Sequence, residues 1–397
     1  MSVLFTPKKL GTVTINNRFV HSATYEGLAQ ESGETTPALL KRYETIARGE
    51  TGLVIPGHLY VHPLGRCTTA QAGIHSDLMI PGLSRLADTV HREGNKIFFQ
   101  LSHAGRQTTR EVIGQTPLGP SSVGRDPVYR VKPEAMTETE IGETINAFRQ
   151  AARRAVEAGA DGIQLHAAHG YLINQFLSPY FNRRQDAWGG CDENRFRLLG
   201  EIAAGVKEIV PRGFPLLVKL NACDYTPREG ITPALAAKYA RRLAELGIDG
   251  IEVSCGSTLY SPLSTCRGAA PAEELAKGLG PWKRFLLKYL LKKTAARFSF
   301  VEGYNLEAAR MIKEAAGDVP VIVVGGMRSV AAMSAAIENG CADFIALSRP
   351  FINDPFLVKR IKAGETDRVS CSNCNLCLAE IALNRPTRCR RKSMPGA

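Results

Sequence analysis

At 397 residues, with 44% hydrophobic residues and no low-complexity tract, the chain is long enough for one large α/β barrel with extensions and too evenly mixed to be disordered. A formal net charge of +12 without a helix-turn-helix or aromatic-basic pattern sets nucleic acid aside and leaves an anionic small substrate or a solvated basic surface. There is no charged-then-apolar leader and no apolar run of membrane-spanning length, so the expected compartment is cytoplasmic, where ten cysteines read as thiols or metal ligands rather than disulfides.

Taken in chain order, Leu4–Ile15 with Gly11 at its centre reads as a hairpin that closes a barrel floor. Strands are then expected at Phe19–Thr24, Leu53–Leu59, Lys96–Ser102, Gly162–Ala168, Pro215–Asn221, Gly250–Gly256, Pro320–Gly326 and Phe344–Arg349. Each is a short apolar run bounded by Gly, Pro, Asn or a charged turn. Helical spacing occupies Thr36–Glu50, Ile80–Gly94, Glu138–Ala158, Glu193–Val210, Pro233–Leu246, Leu306–Ala316, Ser329–Asn339 and Phe356–Lys362. Eight alternating units predict an α/β fold, a closed (β/α)8 TIM barrel over 1–365, followed by a short Cys-rich C-terminal extension over 366–397.

Chemistry in such a barrel belongs at the C-terminal ends of the strands, and unusual residues fall there. Ala23, Thr24 and Tyr25 end the first strand, Gly57 and His58 the second, and Gln100 to Arg106 the third. The fourth ends in His166-Ala-Ala-His169-Gly-Tyr171, two imidazoles and a phenol that can grip an oxygen and deliver a proton. The structural alternative is a pair of satisfied core histidines, which three polar rings beside Gly170 make awkward. Lys219 lies on the fifth strand. Gly325, Gly326 and Arg328 end the seventh and Ser348 and Arg349 the eighth, the place where such barrels cradle a phosphate on backbone amides. No Gly-x-Gly-x-x-Gly follows a first strand, so no dinucleotide-binding domain is visible. The long segment after strand six holds a basic stretch over 281–297, with Lys283, Arg284, Lys288, Lys292, Lys293 and Arg297. It reads as an amphipathic helix over the active face: a lid, a membrane-surface contact or, the favoured reading, a packed surface helix. A second basic group is Arg388, Arg390, Arg391 and Lys392.

His166-Ala-Ala-His169-Gly-Tyr171-Leu172, followed by Phe176-Leu-Ser-Pro179, Trp188-Gly-Gly190 and Glu193-Asn-Arg195, resembles the Old Yellow Enzyme family of flavin ene-reductases. Leu4-Phe-Thr-Pro7, Asn17-Arg18, Gln100-Leu-Ser-His-Ala-Gly-Arg106 and Asp224-Tyr225 match in order, so the resemblance spans residues 4 to 365. It implies an FMN-containing barrel that moves a hydride from NAD(P)H, through FMN, to the β-carbon of an activated alkene such as an enone, enoate or enoyl thioester. It further implies that Gln100 bonds the flavin pyrimidine edge and that Lys219, where relatives usually have arginine, supplies positive charge near flavin N1 and O2. Ala23, Thr24 and the backbone of Gly57 and His58 would face the flavin, and Gly325, Gly326, Arg328, Ser348 and Arg349 would hold its phosphate. His166 and His169 would bind the substrate oxygen, and Tyr171 would protonate the α-carbon. Tyr25 departs from the family, standing where a smaller residue or a histidine is usual, and narrows the substrate site.

Cys371-x2-Cys374-x2-Cys377 and a distant Cys389 suit a [4Fe-4S] cluster better than zinc. The run is similar to the cluster motif of the 2,4-dienoyl-CoA reductase and trimethylamine dehydrogenase branch, which has one more residue before the third cysteine. A cluster served by a separate redox partner protein, bare thiols and zinc stay open in that order. So do three other functions: an FMN/iron-sulfur amine or N-methyl demethylase, a flavin-free phosphate-binding lyase or isomerase with Lys219 as its imine former, and an electron-transfer subunit. The His166/His169 pair argues against the demethylase, since neutral donors suit a carbonyl or nitro oxygen. NADH versus NADPH, the physiological alkene and homo-oligomerisation are not legible.

Overall fold

The computed structural model describes residues 2–260 and 262–391; Lys392 and the end of the 366–397 extension lie outside them. Strands such as Val321-Ile-Val-Val324 are apolar on both faces and therefore need cover on both sides, which a parallel barrel wrapped in helices gives. Eight strands provide it: β1 (Phe19–His21), β2 (Leu53–Val54), β3 (Lys96–Ser102), β4 (Gly162–Ala167), β5 (Leu216–Asn221), β6 (Gly250–Ser254), β7 (Val321–Val324) and β8 (Phe344–Leu347). They pair in parallel in the order β2-β1-β8-β7-β6-β5-β4-β3, and β2 pairs with β3 to close the ring. Outside run α1 (Pro37–Ala47), α2 (Ile80–His91), α3 (Glu138–Glu157), α4 (Asp192–Ile209), α5 (Pro233–Glu245), α6 (Leu306–Ala316), α7 (Val330–Glu338) and α8 (Leu357–Lys362). The (β/α)8 expectation is met.

The N-terminal hairpin forms from Lys8–Leu10 and Val13–Ile15. Gly11 turns it at φ 55°, with Asp249 so close that a Cβ would sit 2.8 Å from its carboxylate. Leu10 and Ile15 pack with Val20, Leu53, Ile55, Phe98, Leu217, Ile322 and Phe344, and this cluster plugs the barrel floor. With the lower end filled, room for a ligand is confined to the upper end.

Several differences from the sequence expectation have physical causes. The expected Leu53–Leu59 strand breaks into Leu53–Val54 and Leu59–Tyr60. Pro56 has no N–H to give a ladder, and the Gly57 N–H is diverted to the Glu26 carboxylate at 2.7 Å and the Tyr43 hydroxyl at 2.9 Å. β7 stops at Val324 because Gly325 and Gly326 turn at φ 130° and 79°. Elements without a sequence expectation include a short parallel pair, Leu118–Gly119 with Glu134–Ala135, and a buried helix at Leu172–Leu177. The basic stretch is a helix, Pro281–Arg297, on the surface as expected, but packed more lightly than expected, with no fully buried residue. Leu287 and Leu291 are half-buried on its inner side, while Trp282, Phe285, Leu286, Tyr289 and Leu290 are exposed on the other. Among the described residues no helix is long and apolar enough to cross a membrane.

The Cys-rich extension lies against the barrel. The Val369 N–H bonds the Arg328 carbonyl at 2.8 Å and the Thr387 N–H bonds the Glu26 carbonyl at 2.8 Å. A short helix, Leu376–Ala382, buries Glu380, which takes Arg388 at 3.2 Å and Arg390 at 3.1 Å. Part of the second basic group is thereby neutralised internally.

Candidate active site

His166 points inward from β4, in register with Lys219 on β5. Two residues beyond the strand, His169 turns at φ 62° and Gly170 at φ 85°. A left-handed non-glycine residue costs on the order of 1 kcal/mol, and the surroundings hold it there. The His169 carbonyl accepts the Gln107 side-chain N–H at 3.1 Å and the Thr258 N–H at 3.2 Å. A Cβ on Gly170 would meet the Ser257 hydroxyl at 2.8 Å. The turn carries Tyr171 back over His166, their rings stacked with centroids 4.4 Å apart, while His166 and His169 stand perpendicular at 5.3 Å. His169 Nε2 lies 2.7 Å from the Ser254 hydroxyl. Burial first, with the crowding of the other imidazoles and Lys219 behind it, holds both imidazoles well below the ordinary histidine range, and burial pushes the Tyr171 phenol well up. Two neutral imidazoles and a protonated phenol therefore stand side by side at the end of β4.

The side chain of His58 belongs to the same cluster of rings, although only its backbone was expected near the cofactor. Its Nε2 is 3.1 Å from the Tyr171 hydroxyl, and its Nδ1 is 2.8 Å from Gln71 Nε2 and 3.0 Å from the Ser102 hydroxyl. Gln71 accepts the Cys67 N–H at 2.7 Å through Oε1, which fixes its amide orientation and makes its Nε2 the donor to His58 Nδ1. The network thus assigns the proton to His58 Nε2, and that N–H donates to Tyr171. Burial holds His58 down at about 3, so it stays neutral. Tyr25, half-buried 6.2 Å from His58 between ring centroids, donates to or accepts from Thr68 at 2.6 Å, and burial pushes it up to about 12.

Below these rings a polar row crosses the barrel. Gln100 donates to Gln164 at 2.6 Å, Gln164 donates to Glu252 at 2.7 Å, and Glu252 pairs with Lys219 at 3.1 Å. Ser22 bridges Glu252 at 2.6 Å and Lys219 at 2.8 Å. Lys219 and Glu252 are 3% and 0% exposed, so each charge depends on the other. An imine-forming lysine needs a free neutral amine; this one is ion-paired, which removes the observation behind the lyase reading. Gln164, Glu252 and Ser22 went unread. A glutamate inside Gly250-Ile-Glu-Val-Ser254 was the available signal, since a lone carboxylate in an apolar strand needs a partner.

At the ends of β7 and β8 a cavity of about 60 Å³ is lined by Gly325, Gly326, Arg328, Ser348 and Arg349 together with Tyr304 and Asn373. The Thr24 and Ser348 hydroxyls are 2.7 Å apart, and Ala23 packs against the floor cluster beside them. The Tyr304 ring leans on the glycine pair, so that a Cβ on either glycine would lie 2.7 Å from it. Arg328 bonds the carbonyls of Val369 and Cys371, and Arg349 bonds the Arg267 carbonyl at 3.0 Å and Asn375 Oδ1 at 2.6 Å. Arg328 Nε and Asn373 Nδ2 are buried donors without a partner among the described residues. Orphaned donors beside bare glycine backbone fit a phosphate oxygen.

Cys371, Cys374, Cys377 and Cys389 line a second cavity of about 120 Å³, with Arg349 and Arg390 on its wall. Cys389 Sγ accepts an Asn353 N–H at 3.3 Å, and burial pushes Cys377 up to about 12. Among the described residues no three His, Cys, Asp or Glu side chains are grouped so as to hold a metal ion, zinc and iron alike. All ten cysteines are free of disulfides.

The NADH:flavin oxidoreductase / NADH oxidase family matches residues 3–273 and 281–368 of the chain. An NADPH dehydrogenase of Geobacillus sp. (strain WCH70) is 36% identical over 356 residues, which is 89% of this chain and 92% of that protein. An NADH oxidase of Thermoanaerobacter brockii is 34% identical over 99% of this chain but only 56% of its own length. Among solved structures, a 2-naphthoyl-CoA reductase complex superposes with a TM-score of 0.84 at 28% identity over 98% of this chain and 56% of that one. The chain thus spans about half the length of some relatives and nearly all of others.

Proposed function

The chain belongs to the NADH:flavin oxidoreductase / NADH oxidase family and is an FMN- and NAD(P)H-dependent oxidoreductase of the Old Yellow Enzyme type, and from that premise we propose that it reduces activated alkenes. FMN, when bound, would supply the redox chemistry, hydride transfer from NAD(P)H to the alkene's β-carbon. Gln100 and Lys219 would bind the pyrimidine edge, the latter through the ammonium N–H that Glu252 and Ser22 leave over. Ala23, Thr24, Gly57 and His58 border the ring, and Gly325, Gly326, Arg328, Ser348 and Arg349 hold the phosphate.

His166 and His169, both neutral, donate N–H bonds to the substrate's carbonyl oxygen and stabilise the enolate-like charge that gathers there. Tyr171 gives its proton to the α-carbon. His58 Nε2–H already fills an acceptor position of the phenol, so Tyr171 keeps its own proton for donation. Tyr25 narrows the site on the substrate side. The observation that carries this reading is the convergence of two neutral imidazoles and one protonated phenol at the end of β4. The likeness to a 2-naphthoyl-CoA reductase supports an enoyl thioester within the substrate class. Rapid-mixing kinetics test the mechanism: Tyr171→Phe slows alkene reduction about a hundredfold while flavin reduction by NAD(P)H changes less than about threefold. Equal slowing of both half-reactions removes Tyr171 from proton donation.

The four C-terminal thiols are proposed to hold an iron-sulfur cluster, because they line one cavity instead of converging on a point. A partner protein would then exchange electrons with it. Iron and acid-labile sulfide assays on anaerobically purified protein decide the matter, and absence of both leaves bare thiols.

A further inference from the structure

We propose that the outer face of the helix Pro281–Arg297 docks on the surface of an anionic phospholipid bilayer. Trp282, Phe285, Leu286, Tyr289 and Leu290 are 74%, 64%, 45%, 57% and 50% exposed, half of the large hydrophobic residues exposed anywhere in the described chain. Their spacing of i, i+3, i+4, i+7 and i+8 puts them on one arc of about 140°. Leu287, Leu291, Thr294 and Ala295 lie on the opposite, half-buried side, so the helix has one apolar side for the protein and another with nothing on it. Phe298, just after it, packs edge-on to Tyr225 in the loop after β5, which fixes the helix on the barrel's upper end.

Charge selects the occupant. The helix carries Lys283, Arg284, Lys288, Lys292, Lys293 and Arg297 and no acidic residue. Glu273 takes two of these, Arg284 at 3.1 Å and Lys288 at 2.5 Å. Among the described residues Lys283, Lys292, Lys293 and Arg297 make no ion pair. At about 100° per residue Lys283 and Lys292 stand at the two edges of the exposed arc, while Lys293 and Arg297 extend it one turn further. An apolar stripe bordered by unpaired cations would repel a second copy of itself. It complements a plane of negative headgroups over an acyl interior, where the amphipathic rings of Trp282 and Tyr289 sit at the boundary. This proposal is independent of the alkene-reductase mechanism.

Flotation of the full chain with vesicles tests it. Phosphatidylcholine vesicles containing about 30% phosphatidylglycerol are expected to carry at least about tenfold more protein than pure phosphatidylcholine vesicles, and raising salt from about 0.05 to about 0.5 M is expected to remove most of it. With Trp188→Phe, Trp282 becomes the sole tryptophan, and its emission shifts to the blue on binding. The pairs Trp282→Ser/Phe285→Ser and Lys292→Glu/Lys293→Glu each lower vesicle binding about tenfold while flavin content and NAD(P)H oxidation stay unchanged. Equal partition into neutral and anionic vesicles overturns the proposal, as does no partition. So does concentration-dependent dimerisation without lipid that the same substitutions abolish. Should a double variant aggregate, the lipid and salt dependence of the unaltered chain decides.

Discussion

The His58 Nε2–H donates to the Tyr171 hydroxyl across 3.1 Å, and Gln71, held by the Cys67 N–H, fixes which nitrogen of that imidazole carries the proton. The phenol accepts this bond and is hydrogen-bonded on another side to the Cys67 sulfur, a weak acceptor that holds its proton loosely enough for donation. The second strand, broken by Pro56 and Gly57, brings His58 to this place.

Replacing His58 by leucine removes that N–H while keeping bulk beside the rings. Alkene reduction is expected to fall about tenfold, with flavin reduction changed far less, in stopped-flow traces of the two half-reactions. Gln71→Leu frees the tautomer and is expected to reproduce part of the loss. Identical effects on both half-reactions would show His58 to be structural.

Lys219 and Glu252 neutralise each other inside the barrel. Lys219→Met leaves the carboxylate alone and is expected to lower stability by about 3–5 kcal/mol, read from chemical denaturation. Lys219→Arg keeps the charge and is expected to retain flavin. An unchanged midpoint in Lys219→Met would show that the pair contributes nothing to the fold's stability.

Gly326 turns at φ 79° with the Tyr304 ring 2.7 Å from any added Cβ. Gly326→Ala should displace the ring or the backbone and cut FMN content on purification by more than about tenfold, with the fold retained in far-UV circular dichroism. Full flavin content would move the phosphate elsewhere.

His21, His58 and His103 are buried, and burial holds them down at about 4, about 3 and about 3. Their folded values lie below the ordinary 6.5, so the unfolded chain binds more protons in that interval, and stability present above 6.5 is lost as pH falls towards 4. Three such groups give a slope of about 4 kcal/mol per pH unit between pH 6 and 5. The carboxyls of Glu26 and Asp224, raised by burial, protonate sooner in the folded state and offset part of it at the acid end. Urea melts at pH 7, 6 and 5 check the slope, and a flat profile would place these rings in contact with water.

The barrel and the upper ends of its strands were legible because apolar runs such as Val321–Val324 alternate with helical spacing, and because His166, His169 and Tyr171 lie close in sequence. What escaped depended on distance. Gln164, Glu252 and Ser22 meet only when the barrel closes, and the role of the His58 side chain depends on a strand break and a glutamine thirteen residues later. Tyr304 reaches the phosphate cavity from a segment with no motif, and Asn373 from between Cys371 and Cys374, where the thiols are the visible signal. The exposed stripe of Pro281–Arg297 was hidden because apolar residues on both sides of a helix blur its period.

Arg328 and Arg349 border the phosphate cavity and at the same time grip the backbone at Cys371 and the side chain of Asn375. Two guanidiniums thus serve as splints shared by neighbouring compartments. An anion held on one side is expected to steady the scaffold on the other, and slower alkylation of the thiols from solvent would report that the cradle is filled.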